Sequence, residues 1–403
     1  PVDHPLTFFG PFNEFEGTGK DIGYPLLRDQ GNSAYMRDTG DPKTTEGGQI
    51  EWGYYETTHP RMCHPRDLQE KHEARLSPSQ RDLEMEQVIE PLERAMELTP
   101  ILAELGYNEG HSFNGLLQVS AAGGPSCGES QKVRGLWYCV AIWVKDAPAY
   151  GKLLADWITD GRTEIDHAAI DYSRFYAHQM EEAFIEGRCY EAAQKIYFPA
   201  IHPREPYASA RGVKRSPFYE REVELGGHFM ELGGWERAHG YAANEHLLET
   251  YGDRVPLREN EWDSRHFWRV SNAEHLAMSD DCGLINLSHF YMFDVEGPDH
   301  VELLEWLCAA KIGGDGNIGK GIYTHFLDDE GMVRADLTVF RMADRCRIVD
   351  GADAGPRDFH YVKRVAQDKG FDVTVTDVSE KFTTIGIWGP NARENLKKVV
   401  ADP

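Results

Sequence analysis

The chain has 7 cysteines but no CxxC pair, no apolar run approaching bilayer length, no basic-then-apolar leader, and no internal repeat or low-complexity tract. An odd count at Cys63, Cys127, Cys139, Cys189, Cys282, Cys308 and Cys346 excludes a regular disulfide framework and a zinc ribbon. A reducing cytoplasm is the expected compartment. The lack of a long apolar run excludes a spanning helix, and no signal peptide is expected in this stretch. Cations are scarce: 42 Lys plus Arg against 67 Asp plus Glu gives a formal charge of −25. Such a field repels phosphate backbones and anionic lipid, so no nucleic-acid or membrane partner is expected. What is present suits folded interiors: 41% hydrophobic residues with 9 Trp, 18 Tyr and 18 Phe, over 403 residues, enough for two to three domains. The chain opens at Pro1 and stops shortly after NARENLKKVV, and reads as cut at both ends.

From Pro1 to about Gly53 the pattern is strand-like and broken by turns, in LTFFGPF, YPLLRDQGNSAYMRD and GGQIEWGYY. Ser77-Pro78-Ser79 can cap a helix with apolar positions from Leu83 to Leu105, closed by Gly106 and kinked or split at Pro91. GLWYCVAIWV, from Gly135 to Val144, predicts a buried strand, and AYGKLLADWITDG a helix stopped by Gly161. A second helical pattern runs from Ser173 to Phe198, and 207–240 reads as a connector. Beyond Asn244 come a helix near Asn272 to Met278, a strand in LSHFYMFDVEG and a helix in HVELLEWLCAA. Strands in GIYTHFLDD and VRADLTVFRMADRCRIVDG follow, then a helix from Arg357 to Lys369 and a strand in FTTIGIWG. Runs of strands with helices between them predict an α+β fold with α/β elements.

Gly314, Gly316 and Gly319 match G-x-G-x-x-G, but a helix precedes and a strand follows. That order is the reverse of a dinucleotide fingerprint, so the glycines read as a turn. His59, Cys63 and His64 lack a fourth ligand and tetrahedral spacing, so no metal is expected. Asp336 lies in EGMVRADLTVF beside Val333, Leu337 and Val339. A carboxylate on a buried strand needs a partner or a task, because burial penalises its charge. His4 and Tyr35 are, by pattern alone, packing residues as readily as functional ones.

Several strings resemble the flavoprotein family of dimethylglycine dehydrogenase, sarcosine dehydrogenase and their bacterial oxidase relatives. PVDHPLTFF, YPLLRDQGNSAYMRD and GGQIEWGYYE resemble the substrate half of a D-amino-acid-oxidase-like flavin domain, and VRGLWYCVAIWVKDAPAYGKLLADWITDG its C-terminal flavin-contacting strand and helix. RSPFYEREVELGGHFMELGGWERA resembles the family's connector. NLSHFYMFDVEGPD, GMVRADLTV and IGIWGPNAR resemble the N-terminal part of a glycine-cleavage T-protein fold. The resemblance divides the chain into residues 1–170, the C-terminal half of the oxidoreductase domain; 171–240, the connector; and 241–403, an incomplete aminomethyltransferase-like folate domain.

The resemblance implies FAD and tetrahydrofolate as cofactors and oxidative demethylation of a small N-methylated amino acid, with the one-carbon unit passed to folate. It places Asp336 at the acidic position of the folate module and Tyr323 on the folate pocket. His4 and Tyr35 match a His and a Tyr facing the substrate amine, where they tune its protonation. Lys145, Gly151 and Lys152 are the expected FAD contacts in this chain, the pyrophosphate-binding glycines falling upstream of Pro1. Asp146 to Tyr150 depart from the family's glycine-rich approach to the flavin, which puts side chains where bare backbone is usual. Two other readings stay open: a folate-dependent methyl or aminomethyl transferase with a degenerate flavin domain, and a non-enzymatic folate-binding or interaction protein. The electron acceptor, oxygen or an electron-transfer flavoprotein, and the oligomeric state, including a homo-oligomer, are left open too.

Overall fold

The computed structural model describes every residue except 20–22, 44–46, 65–67, 69–78, 105, 109–110, 198–200, 267 and 402–403. The backbone divides into two compact units. One holds Pro1–Ser126, Cys139–Lys152 and Ile185–Ile201, the other Cys127–Tyr138, Leu153–Phe184 and His202–Pro403.

The first unit is built on an antiparallel sheet of β1 (Val2–Phe9), β2 (Leu27–Asp29), β3 (Ala34–Asp38), β4 (Ile50–Tyr54), β5 (Gln80–Arg81) and β6 (Phe113–Leu117), in the order β2-β3-β4-β1-β6-β5. Side chains alternate across a sheet, so each strand presents two faces. Ala34 and Met36 from β3, Ile50 and Trp52 from β4 and Phe9 from β1 form one buried core with Val88, Leu92 and Ala95. The last two belong to helix α1 (Ile89–Leu98). This helix is shorter than its apolar pattern predicts. Pro91 is tolerated only in the first turn, where its missing N–H is not needed, so the helix starts beside the proline instead of being split by it. Residues 80–87 form a strand and a single 3-10 turn, and the expected cap at Ser77-Pro78 lies outside the described residues.

The apolar run at Gly135 to Val144 is not a buried strand. Only β8 (Trp137–Val140) is extended, in a two-stranded ribbon with β7 (Ser126–Glu129), and Val144 is exposed. Its large residues pack pairwise instead: Trp137 edge-on to Trp157 and Tyr138 stacked on Tyr172. Helices α2 (Ala147–Asp160), stopped at Gly161, and α3 (Glu182–Ile196) follow; the helical pattern expected from Ser173 begins instead with short 3-10 turns at Tyr172–Arg174 and Ala177–Met180.

The second unit carries a hairpin of β9 (Gly227–Leu232) and β10 (Trp235–Tyr241), helix α4 (Arg269–Asp280), and a two-stranded pair of β11 (Gly283–Asn286) with β17 (Ile385–Trp388). Its main sheet runs β13-β14-β15-β12-β16, with β12 (Tyr291–Glu296), β13 (Gly321–Leu327), β14 (Val333–Arg341), β15 (Arg345–Asp350) and β16 (Thr374–Asp377). One face buries Phe293, Val295, Leu337, Val339 and Ile348 against α5 (His300–Leu307) and α6 (Gly355–Lys369). The α+β expectation agrees with this mixed architecture. Under the sheet, buried Asp350 lies against Asp358, which Arg357 holds through two hydrogen bonds of 2.8 and 3.0 Å. Burial and the neighbouring carboxylate push Asp350 up to about 9, so it stays protonated at neutral pH.

Candidate functional site

In the first unit the strand register sets the site. Leu6 and Tyr35 both pair with Gly53, and Arg28 pairs with Tyr35. Arg28, Tyr35, Gly53 and Leu6 therefore form one row across four strands, on the face opposite Trp52 and Met36. His4, two residues from Leu6, shares that face. A Cβ at Gly53 would fall inside the Tyr35 ring, so only glycine lets the phenol lie flat over β4.

His4 lies 4.5 Å from the Tyr55 ring centroid and 5.9 Å from that of Tyr35. Its Nε2 is buried and has no hydrogen-bond partner. Burial first, and the Arg28 charge second, bring the imidazole down to about 4, so it is neutral at physiological pH. Tyr35 is pushed the other way: burial and the neighbouring Tyr55 and Glu51 raise its phenol, which stays protonated. Tyr55 stacks on Tyr197 at 3.8 Å, and Trp143 continues the stack at 5.6 Å from Tyr197. Gln30 and Ser33 hold the Tyr197 carbonyl by donating to it at 3.4 and 3.0 Å. The structure thus brings His4 and Tyr35 together, and adds Arg28, Tyr55, Tyr197 and Trp143, which sequence reasoning missed. The signal was legible for Arg28, since LLRD and SAYMRD alternate in step, but Tyr55 and Tyr197 follow the ends of their elements, where no period applies.

A neighbouring cavity of about 250 Å³ is lined by Gln118, Ser120, Gly123, Gly124, Ala141, Trp143 and Lys145 among others. Ala141 takes φ 56, a conformation that L residues avoid and that functional sites concentrate. Its N–H donates to Gln118 Oε1 at 3.0 Å, and Trp143 Nε1 donates to the Gln118 carbonyl at 2.8 Å. Lys145 is exposed, paired with Asp146 at 2.7 Å and 5.6 Å above the Trp143 ring. Gly151 and Lys152 lie on the exposed side of the first turns of α2, and Gly151 faces open space. Ala147, Pro148 and Ala149 are likewise exposed. Among the described residues, no cluster at ligand distance joins His59, Cys63 and His64.

In the second unit Asp336 is exposed, contrary to the expectation of a buried strand carboxylate. Ala335, Leu337 and Val339 take the core face of β14, and the alternation turns Asp336 to the open one. Val333, an apolar neighbour of Asp336 in sequence, sits 63% exposed at the strand's start, where a register shift interrupts pairing with β13. Tyr323 Oη donates to Asp336 Oδ2 at 3.1 Å, and that bond holds the phenol above its ordinary value. His325, directly opposite Asp336, meets the Tyr323 ring edge-on at 5.5 Å. With 64% of its surface free, Tyr323 offers an open aromatic face beside a carboxylate.

Residues 218–403 match the GCVT N-terminal domain, and residues 160–216 match the FAD dependent oxidoreductase central domain. Mitochondrial dimethylglycine dehydrogenase of Rattus norvegicus is 25% identical over 100% of this chain. The chain resembles the dimethylglycine and sarcosine dehydrogenase family. The alignment covers 44% of the rat protein. The 4-methylaminobutanoate oxidase (formaldehyde-forming) of Paenarthrobacter nicotinovorans is 34% identical over 63% of this chain and 29% of its own length. An aminomethyltransferase of Thermotoga maritima is 27% identical over 47% of this chain and 44% of its own. The chain spans less than half the length of these curated relatives. Within the family architecture, an FAD-oxidoreductase-like part precedes a GCV-T-like part. No described helix is long and apolar enough to cross a membrane.

Proposed function

We propose that this chain forms the amine-binding and folate-binding parts of an FAD-dependent enzyme that oxidatively demethylates a small N-methylated amino acid and passes the one-carbon unit to tetrahydrofolate. Residues 1–170 serve the oxidoreductase half, 171–240 connect, and 241–403 serve the folate half. The observation that carries the reading is His4: a neutral imidazole whose buried Nε2 has no partner, beside the protonated phenol of Tyr35. Removing hydride from an N-methyl carbon requires a free lone pair on nitrogen. A low-dielectric pocket that already holds a cation at Arg28 disfavours an ammonium ion, and His4 and Tyr35 offer hydrogen bonds to the neutral amine. The names of the relatives support the substrate class, since 4-methylaminobutanoate and dimethylglycine are both N-methylated amino acids.

The Gly123–Gly124 edge, the flat Trp143 ring and the Lys145 charge around the cavity fit a planar group that gains negative charge on reduction. Trp143 and Lys145, which line this cavity, are the residues of this chain that would hold FAD; Gly151 and Lys152, expected beside them, do not line it. When bound, FAD supplies a two-electron acceptor. On the folate half, Tyr323 offers a stacking face for a planar heterocycle, and the exposed Asp336 carboxylate accepts or returns a proton at its nitrogen. Feeding the full-length protein an amine labelled with ¹³C on its N-methyl group, with and without tetrahydrofolate, tests the coupling. The label is expected in methylene-tetrahydrofolate when folate is present. Release as formaldehyde alone, unchanged by folate, would remove the transfer half of the proposal.

A further inference from the structure

The second unit holds an uncommitted proton carrier beside Asp336. His325 stands directly across from it in the β13–β14 ladder, which puts both side chains on one face with their Cβ atoms about 5 Å apart. Burial alternates along β13: Thr324 and Phe326 are buried, while Tyr323 and His325 turn to the open face. Asp336 already accepts the Tyr323 hydroxyl, and the Tyr323 ring meets the imidazole edge-on. Among the described residues neither ring nitrogen of His325 has a hydrogen-bond partner, and neither is sealed from solvent. The other charges of the neighbouring elements are engaged. Arg334, left unpaired by the register shift in β14, rests over the Tyr361 ring at 4.4 Å. Glu305 of α5 accepts the Ile312 and Gly313 amides, and Asp328 those of Glu330 and Met332. Asp336 and Tyr323 are the titratable groups that share the open face with His325.

Passing a carbon from an N-methylene iminium to tetrahydrofolate moves protons in two directions. Two C–N bonds form as two folate nitrogens each lose a proton. The bonds between the carbon and the amine break, their electron pairs go to the amine nitrogen, and that nitrogen takes one proton back. The transfer needs a base on the folate side and an acid on the amine side. We propose that His325 is the acid that protonates the departing amine while Asp336 takes a proton from the folate nitrogen, a role that rests on the folate-transfer reading above. An imidazole suits it, since one ring can donate a proton at one nitrogen and accept at the other. One folate proton goes to solvent; the other crosses the ladder from Asp336 to His325, which restores both groups.

The test uses the full-length flavoprotein and two readouts. His325→Gln is expected to form methylene-tetrahydrofolate about 100-fold or more slower than the wild type, and His325→Ala to recover part of that loss when imidazole is added to the solution. The second readout needs no turnover: diethyl pyrocarbonate should carbethoxylate His325 in the wild type, as mapped by peptide mass spectrometry. 5-Formyl-tetrahydrofolate at about ten times its Kd should slow that marking roughly 10-fold. Product formation by His325→Gln near the wild-type rate, a loss in His325→Ala that imidazole leaves untouched, or marking that 5-formyl-tetrahydrofolate does not slow would overturn the role. Should the variants fail to fold, protection of His325 in the wild type decides the matter. If the wild type itself forms no methylene-tetrahydrofolate, the transfer reading falls and takes this role with it; if His325→Gln keeps pace with an active wild type, the reading stands and the role alone falls.

Discussion

Replacing Asp350 by Asn should remove a pH dependence of stability. Asp350 is buried against Asp358, accepts the Gly351 N–H at 2.7 Å, and is pushed up to about 9 by burial first and by Asp358 second. An unfolded chain releases this proton near the ordinary carboxylate value, so between that value and about pH 9 the native state holds one proton more. Stability then falls as pH rises, by about 1.4 kcal/mol per pH unit. The window from pH 7 to 8 isolates the effect. His4, His289 and His360, lowered by burial to about 4, are neutral when folded, and each unfolded histidine sheds only about a quarter of a proton over this window, a small rise in stability common to both proteins. Cys308 and Cys346, raised by burial to about 12 and 11, act only above the ordinary thiol range. Asn keeps the shape and the donor of the protonated acid. Urea titrations followed by tryptophan emission at pH 7 and 8 should show the wild type losing about 1.4 kcal/mol and Asp350→Asn losing almost nothing. Equal slopes in the two proteins would refute the assignment of the proton to Asp350.

Gly53→Ala must displace the Tyr35 ring; we expect a loss of roughly 1–3 kcal/mol and slowed flavin reduction with folate binding intact, checked by denaturation and rapid-mixing absorbance. Asp336→Asn should leave flavin reduction by substrate unchanged and slow methylene-tetrahydrofolate formation by about 100-fold or more, measured by product chromatography. Tyr323→Phe, losing a bond between exposed groups, should leave the melting temperature unchanged while weakening folate binding by equilibrium dialysis. On the acid side, His4, His289 and His360 all refuse protons that the unfolded chain binds. Stability should therefore drop as pH falls from 6.5 toward 4, and His360→Gln should flatten part of that drop in pH-dependent melts.

The strands of the second unit were readable because YMFDVE and VRADLTVF carry strong local patterns between turns, and α6 because its apolar stripe ends at Gly370 in a left-handed turn. The buried apolar strand at Gly135 to Val144 was misread for a physical reason: hydrophobicity alone does not make a core strand, and here β8 pairs with β7 alone while its rings pack against other rings. Asp336 was placed on the right strand but the wrong face, since one residue of phase separates burial from exposure. β11 and β16 were missed altogether; each is four residues long and pairs only with distant segments, which no local period reveals. His4 and Tyr35 were named from a resemblance, whereas their meeting, and the part of Arg28, follows from register across four strands.

The most direct test of the account is anaerobic mixing of the full-length flavoprotein with dimethylglycine, sarcosine and 4-methylaminobutanoate in turn, read by visible absorbance. The account predicts that the flavin band bleaches with at least one of them, and that His4→Ala slows the bleaching. A flavin band that none of the three amines changes, or a full-length protein that purifies without colour, would contradict it.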